Sequence, residues 1–222
     1  MVRPLLMSIL MALLVTTTTV AYPKAGDQPE RWQLTFDAGD LRFFRDQRTD
    51  DGYWVLVYEV MNEDGEDHIW APSLDLVTDR GEVIADVEDV PRRVYLTILD
   101  ILGDPLLQQQ SDTIGPLLRG PEHARRGLVI WPAGNEVVRQ VQVFVRGVSG
   151  DTAEVIDPHN GEKVVLRRQL HLSWGVPGSL DELALKPLPR RPVGRGVSVR
   201  RPAEVESGSS TLDRARRRWV FR

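Results

Sequence analysis

The chain has 222 residues, a formal net charge of −4 and no cysteine. That length suits one domain, or one domain with a tail. The missing cysteines exclude disulfides, thiol catalysis, redox relays and cysteine-based zinc sites.

Residues 1–21 read as an export leader. Arg3 gives a short positive start, residues 5–15 are apolar, and Thr19 and Ala21 are the small residues a signal peptidase reads. Cleavage is expected after Ala21, leaving an exported protein, periplasmic or extracellular. The apolar run is shorter than the ~20 residues of a spanning helix, so no stable membrane span is expected after cleavage.

Charge then divides the chain. Residues 22–185 hold 16 Lys+Arg against 29 Asp+Glu, and residues 186–222 hold 11 against 3. An acidic body carries a basic tail.

The first body strand is expected at 31–37, with Trp32, Leu34 and Phe36 inward, a turn at Ala38-Gly39-Asp40 and a short strand at 41–46. Residues 53–61 read as a central strand. Trp54, Leu56, Tyr58 and Val60 form one apolar face, and Tyr53, Val55 and Val57 keep the other face apolar until Glu59. Asp64-Gly65 is expected to turn this strand into a hairpin with 68–78, broken at Pro72. Glu63, Asp64, Glu66 and Asp67 crowd that turn. Aligning Gly65 with the glycine of an EF-hand loop puts Val60 first and Ala71 last, so no calcium loop is expected.

A strand at 82–87 follows, then the one helix. Asp89 is expected to cap it, Pro91 to sit in its first turn and Gly103 to close it. Val90, Val94, Ile98 and Ile101 or Leu102 share a face that packs on an end or side of the β-structure. Residues 104–126 read as a long polar loop with Leu106, Leu107 and residues 116–118 tucked in. Strands resume at 128–131 and 137–145, the latter with Val141, Val143 and Val145 on one side. Asn160-Gly161 joins 153–156 to a long strand at 164–174. Val164, Leu166, Leu170, Leu172 and Trp174 lie on one face of that strand, and Arg167, Gln169, His171 and Ser173 on the other. These elements predict a mainly β fold, an immunoglobulin-like antiparallel sandwich with one inserted helix and an extended basic C-terminal tail.

The organisation expected is a leader at 1–21, a sandwich domain at 22–178 and a Pro/Arg-rich tail at 179–222. The stretch 183–208 has linker composition. The terminus regains Trp219 and Phe221 on alternate positions. These two are expected to dock on the sandwich, as an added strand or on a partner's sheet, while 190–210 stays loose. Arg216, Arg217, Arg218, Trp219 and Phe221 are the candidate interaction residues.

The leader, Tyr53-Trp54, Val60-Met61-Asn62, residues 72–79, Gly81 and residues 127–131 together resemble exported bacterial immunoglobulin-like proteins of unknown function. The likeness covers residues 30–178 and implies a sandwich and an extracytoplasmic site. It implies no activity and transfers no functional residues.

Catalytic motifs are missing. His68, His123, His159 and His171 have no compact zinc spacing, Ser149 in GVSG lacks the nucleophile-elbow glycines, and GRG at 194–196 follows no strand. The sequence singles out no catalytic, metal or cofactor residue. The expected role is a non-catalytic exported module that binds an envelope protein or polymer, or serves structurally, without nucleic acid. One alternative is an envelope hydrolase using loop carboxylates. Another is binding of an anionic polymer through the Arg-rich tail.

Overall fold

The computed structural model describes residues 23–26, 28–86, 90–134, 137–176, 178, 186–191 and 217–222. The fold is mainly β. Among the described residues twelve strands and one α-helix run β1 (Thr35–Arg45), β2 (Gly52–Met61), β3 (His68–Trp70), β4 (Ser73–Thr78), β5 (Val83–Ile84), α1 (Arg92–Leu102), β6 (Leu107–Gln109), β7 (Gly115–Leu117), β8 (Arg125–Ala133), β9 (Gln140–Arg146), β10 (Thr152–Ile156), β11 (Lys163–Gly175) and β12 (Arg217–Phe221).

One sheet has the order β1-β2-β8-β6. A second has the order β10-β11-β9-β4-β5, with β12 also paired to β11, while β3 and β7 pair only with each other. Apart from the parallel β6–β8 contact, both sheets are antiparallel. Their facing sides share one core, in which Phe36, Trp54, Leu56, Tyr58 and Trp131 meet Leu74, Val143, Leu170, Leu172 and Trp174. Trp131 Nε1 donates across this core to the Leu74 carbonyl at 3.0 Å, so the indole fills volume and also satisfies its polar atom.

β2 is central and covered on both faces, as its two apolar stripes predict. Trp54, Leu56, Tyr58 and Val60 enter the inter-sheet core. Tyr53 and Val55 enter a second cluster with Val94 and Ile98 of α1. The helix therefore lies on the outer side of the first sheet. It closes at Gly103, whose φ of 62° suits a residue without Cβ. Pro91 is the N-cap residue rather than a first-turn one, and among the described residues no side chain caps the helix. Asp89 lies outside the described residues. Ile101 stays half exposed.

The sequence-predicted hairpin through Asp64-Gly65 does not form. β2 pairs with β1 and β8, whereas β3 pairs with β7 and β4 with β5 and β9. The chain crosses from one sheet to the other between Asn62 and Ser73. Asn62, fully buried, anchors the crossing by donating from Nδ2 to the carbonyls of Glu66 at 2.9 Å and Leu117 at 3.0 Å.

The expected turn at Ala38-Gly39-Asp40 is a bulge inside one long strand. A Cβ on Gly39 would stand 2.9 Å from the Val57 carbonyl oxygen, so only glycine lets the bulged strand approach β2 this closely. The long loop at 104–126 also acquires β6, β7 and two short helical turns. Leu107 and Leu117 are buried there, while Leu106 and Leu118 stay exposed. At Asn160-Gly161 the reversal is as expected, with Gly161 at φ 73°.

A candidate interaction surface on the C-terminal strand

β11 is 13 residues long, and an open edge of that length would invite pairing with another chain. One of its edges belongs to β9. The other is covered by β12 and residues 189–191, since Arg167 exchanges backbone hydrogen bonds with Arg222 and the Gly175 amide donates to Pro189. The Arg168 amide turns instead to the β9 edge and meets the Asp151 carbonyl beside β10. β10 pairs with residues 163–167, and β12 with residues 168–172. Arg190 then bridges Trp174, and the Arg191 amide donates to the Ser173 carbonyl at 2.8 Å. Arg190 and Arg191, expected in a loose connector, are thus part of the fold. Residues 192–210 of that connector lie outside the described residues.

Pairing fixes which way each terminal side chain points. Leu170 opposes Trp219 and Arg168 opposes Phe221 on the core side, while His171 opposes Arg218 on the outer side. Of the five candidate interaction residues, Trp219 and Phe221 therefore turn toward the body. Arg218 turns outward and is exposed. Arg217 opens β12, and Arg216 lies outside the described residues.

The outer face carries a row across four strands. Asp75 of β4 opposes Phe144 of β9, Phe144 opposes His171 of β11, and His171 opposes Arg218 of β12. The rings of Phe144 and His171 stack with centroids 4.4 Å apart. His171 Nε2 donates to Gln142 Oε1 at 2.8 Å. Burial pushes the His171 imidazole down to about 4, and repulsion from Arg218 and Arg222 adds to the shift. Arg222 reaches back over Phe144, its Cζ 4.6 Å from the ring centroid. Asp75, the acidic group of the row, is held by Arg146 at 3.2 Å.

On the core side a buried ion pair fastens the termini. Arg168 is 1% exposed. Its NH1 donates to Asp151 Oδ2 at 3.2 Å and Gln33 Oε1 at 2.9 Å, and its NH2 to the Gly26 carbonyl at 2.7 Å. Asp151 accepts the backbone amides of Glu30 and Arg31 as well. The sequence signal is one arginine on an otherwise apolar period-two face, a position that demands a buried partner.

A second feature lies between α1 and the first sheet. A groove of about 690 Å³ is lined by Asp86, Arg92, Tyr95, Gln110, Asp112 and Ile114, among others. Burial pushes the Asp86 carboxyl above the usual carboxylate range, although it accepts the Leu74 amide at 3.0 Å. Gln110 Oε1 accepts the hydroxyl of Tyr58, which burial raises to about 12. None of these residues stood out in the sequence, because the groove is assembled in space from separate segments of the chain.

Near the acidic turn, Asp64 is engaged by His68 at 2.5 Å, and that hydrogen bond draws its carboxyl below the usual range. Among the described residues no group of three metal-binding side chains converges, and no helix is long and apolar enough to cross a membrane. Comparison of the chain with protein-family models, with curated proteins and with solved structures finds no match.

Proposed function

We propose that the protein is a non-catalytic exported module, an immunoglobulin-like sandwich that binds a component of the cell envelope through the outer face of β9, β11 and β12. The observation that carries this is the placement of Arg218 and Arg222. The C-terminal strand seats both on a folded sheet, beside Phe144 and His171. A fixed sheet face presents its side chains at less entropic cost than a loose tail. Two facing sheets with a shared core support the sandwich, and the leader composition of residues 1–21 supports export.

Co-sedimentation of the purified mature protein with envelope fragments tests this. Wild type should be retained, and an Arg218→Gln, Arg222→Gln double variant should be lost at equal fold stability. Equal retention of both would reject this face as the binding surface. Mass spectrometry of protein recovered from the producing cell should place its N-terminus at Tyr22.

Asp86 favours a second reading, a carboxylate-dependent envelope hydrolase in the groove under α1. A carboxyl raised by burial is what a general acid needs, and Asp112 lines the same groove as its candidate partner. Hydrolysis of an envelope polymer that disappears in Asp86→Asn while co-sedimentation persists would establish it.

A further inference from the structure

We infer that the groove between α1 and the first sheet takes an extended peptide, which lies beside β8 and pairs with the backbone of Ile130. The inference goes beyond the surface proposed above. It shares the groove of the second reading but requires no reaction there.

Register fixes where the backbone of β8 points. The Asp46 amide donates to the Asp51 carbonyl at the β1–β2 turn, so Tyr53 and Val55 bond β1, and Trp54, Leu56 and Tyr58 bond β8. Their partners in β8 are Trp131, Val129 and Gly127. Leu128, Ile130 and Pro132 therefore turn their backbone groups to the opposite edge. β6 follows that edge only as far as Leu128, because the chain leaves it at Gln110 in a short helical turn. Ile130 is 6% exposed, yet its N–H and C=O have no backbone partner on that edge among the described residues. Buried backbone groups in that state demand a ligand or water. Pro132 comes next with no N–H to offer, which only an unpaired strand edge tolerates. Gln110 adds a side-chain donor. It is 8% exposed and lines the groove with Ile130. Its Oε1 accepts the Tyr58 hydroxyl, and its Nε2 has no acceptor among the described residues.

These groups name the ligand class. The N–H and C=O of one strand residue match the C=O and N–H of a residue in another strand, a pair that an acyl chain or an unsubstituted glycan lacks. Val90, Leu96 and Ile114 line the groove for alternate side chains of such a strand. Leu96 and Ile114 are each about half exposed, so a ligand would bury apolar surface there. The groove also carries one cation, Arg92, and two acids, Asp86 and Asp112. Arg92 and Asp112 have no ion-pair partner among the described residues, so a peptide bearing both signs complements them better than a chain of one sign. The volume of about 690 Å³ suits a short segment.

A random heptapeptide display library panned on the mature protein is the probe. Enriched peptides, resynthesised, should bind and should slow hydrogen exchange at the Ile130 amide, read by NMR. Methylating the peptide's backbone nitrogens at every second residue keeps its side chains. Strand pairing on one edge predicts that one methylation frame weakens binding roughly tenfold or more and the other leaves it unchanged. Ile114→Asn in the groove should weaken binding. Ile69→Asn, at an exposed site on β3, should bind like wild type. No enriched peptide, an Ile130 amide unmoved by binding, equal effects of the two methylation frames, or equal binding by the two variants overturns the inference. Hydrolysis of an envelope polymer without peptide binding would keep the second reading and reject this one. Peptide binding without hydrolysis would do the reverse.

Discussion

The ring of Trp219 lies over the guanidinium of Arg168, with Cζ 4.1 Å from the ring centroid. A residue three from the end of the chain thereby covers the buried ion pair that holds the N-terminal segment. The contact joins cation–π attraction to apolar burial, since Trp219 also packs on the inter-sheet core. Trp219→Ala should cost about 2–4 kcal/mol by denaturant unfolding. Backbone amides of residues 168–172 should lose hydrogen-exchange protection in the variant. Unchanged protection would show that β12 holds by its backbone alone.

Asp151 should be the more damaging position. It is 5% exposed and serves Arg168 together with two backbone amides. Asp151→Ala takes the Asp151 carboxylate from a buried guanidinium and the acceptor from two backbone amides, and should destabilise by roughly 3–5 kcal/mol. Replacing Arg168 and Asp151 together by apolar residues should cost less than Asp151→Ala alone, because the buried guanidinium then goes with its carboxylate. Chemical denaturation of the two variants compares them directly.

His171 predicts a pH dependence of definite sign. Its folded pKa of about 4 lies below the ordinary 6.5, so the unfolded chain binds the extra proton between those values. Stability is whole above pH 6.5 and falls as the pH drops toward 4, by up to about 3 kcal/mol. His171→Gln should flatten this part of the curve. Parallel acid-side slopes for wild type and variant would remove His171 as the cause.

Period-two patterning made the interior legible. Val141, Val143 and Val145, and Leu170, Leu172 and Trp174, turn inward as their alternation requires. Partner choice was not legible in the same way. The Asp64-Gly65 signal marks a reversal, but Gly65 takes no positive φ and a Cβ there would meet nothing, so the glycine enforces no tight hairpin. Asn62 decides the crossing through bonds to residues four and 55 positions away. Gln169, His171 and Ser173 read as the polar face of their strand, yet all three are buried. The strand that borders them begins at Arg217, more than forty residues later, and no local pattern announces that. The members of the surface row, Asp75, Phe144, His171 and Arg218, likewise come from four strands, joined only by register.

Close approach at Gly127 gives a sharper test of packing. It sits opposite Tyr58 in the β2–β8 pairing, and a Cβ there would overlap the Tyr58 ring. That ring cannot swing away. It stacks on Phe36 with centroids 5.0 Å apart, and its hydroxyl meets Gln110 and Thr113. Gly127→Ala should therefore destabilise by about 2–3 kcal/mol or more, although alanine suits a strand better than glycine. A Gly127→Ala, Tyr58→Leu double variant should recover part of that loss in the same denaturant titration, since the leucine vacates the overlapped volume.

Leu188 carries the last prediction. It is 3% exposed and belongs to the inter-sheet core. Its amide donates to the Leu41 carbonyl at 2.9 Å on the edge of the first sheet. One residue on, the Pro189 carbonyl accepts the Gly175 amide at 2.9 Å on the edge of the second. Residues 186–191 therefore close the gap between the two sheets on the side where β1 and β11 end them, with Leu188 as the plug. Arg190 adds a hydrogen bond to the Gly39 carbonyl at 3.0 Å and lies over Trp174. Leu188→Ala should cost about 2–4 kcal/mol, the usual loss for a buried leucine whose site cannot fully collapse. Leu188→Asp should do worse, because the carboxylate would enter an apolar site without a partner. Ending the chain at residue 185 removes the plug, both edge contacts and β12 at once, and should leave a body that unfolds well below the midpoint of the intact protein. A truncated body as stable as the intact chain would show that the two sheets close without residues 186–191.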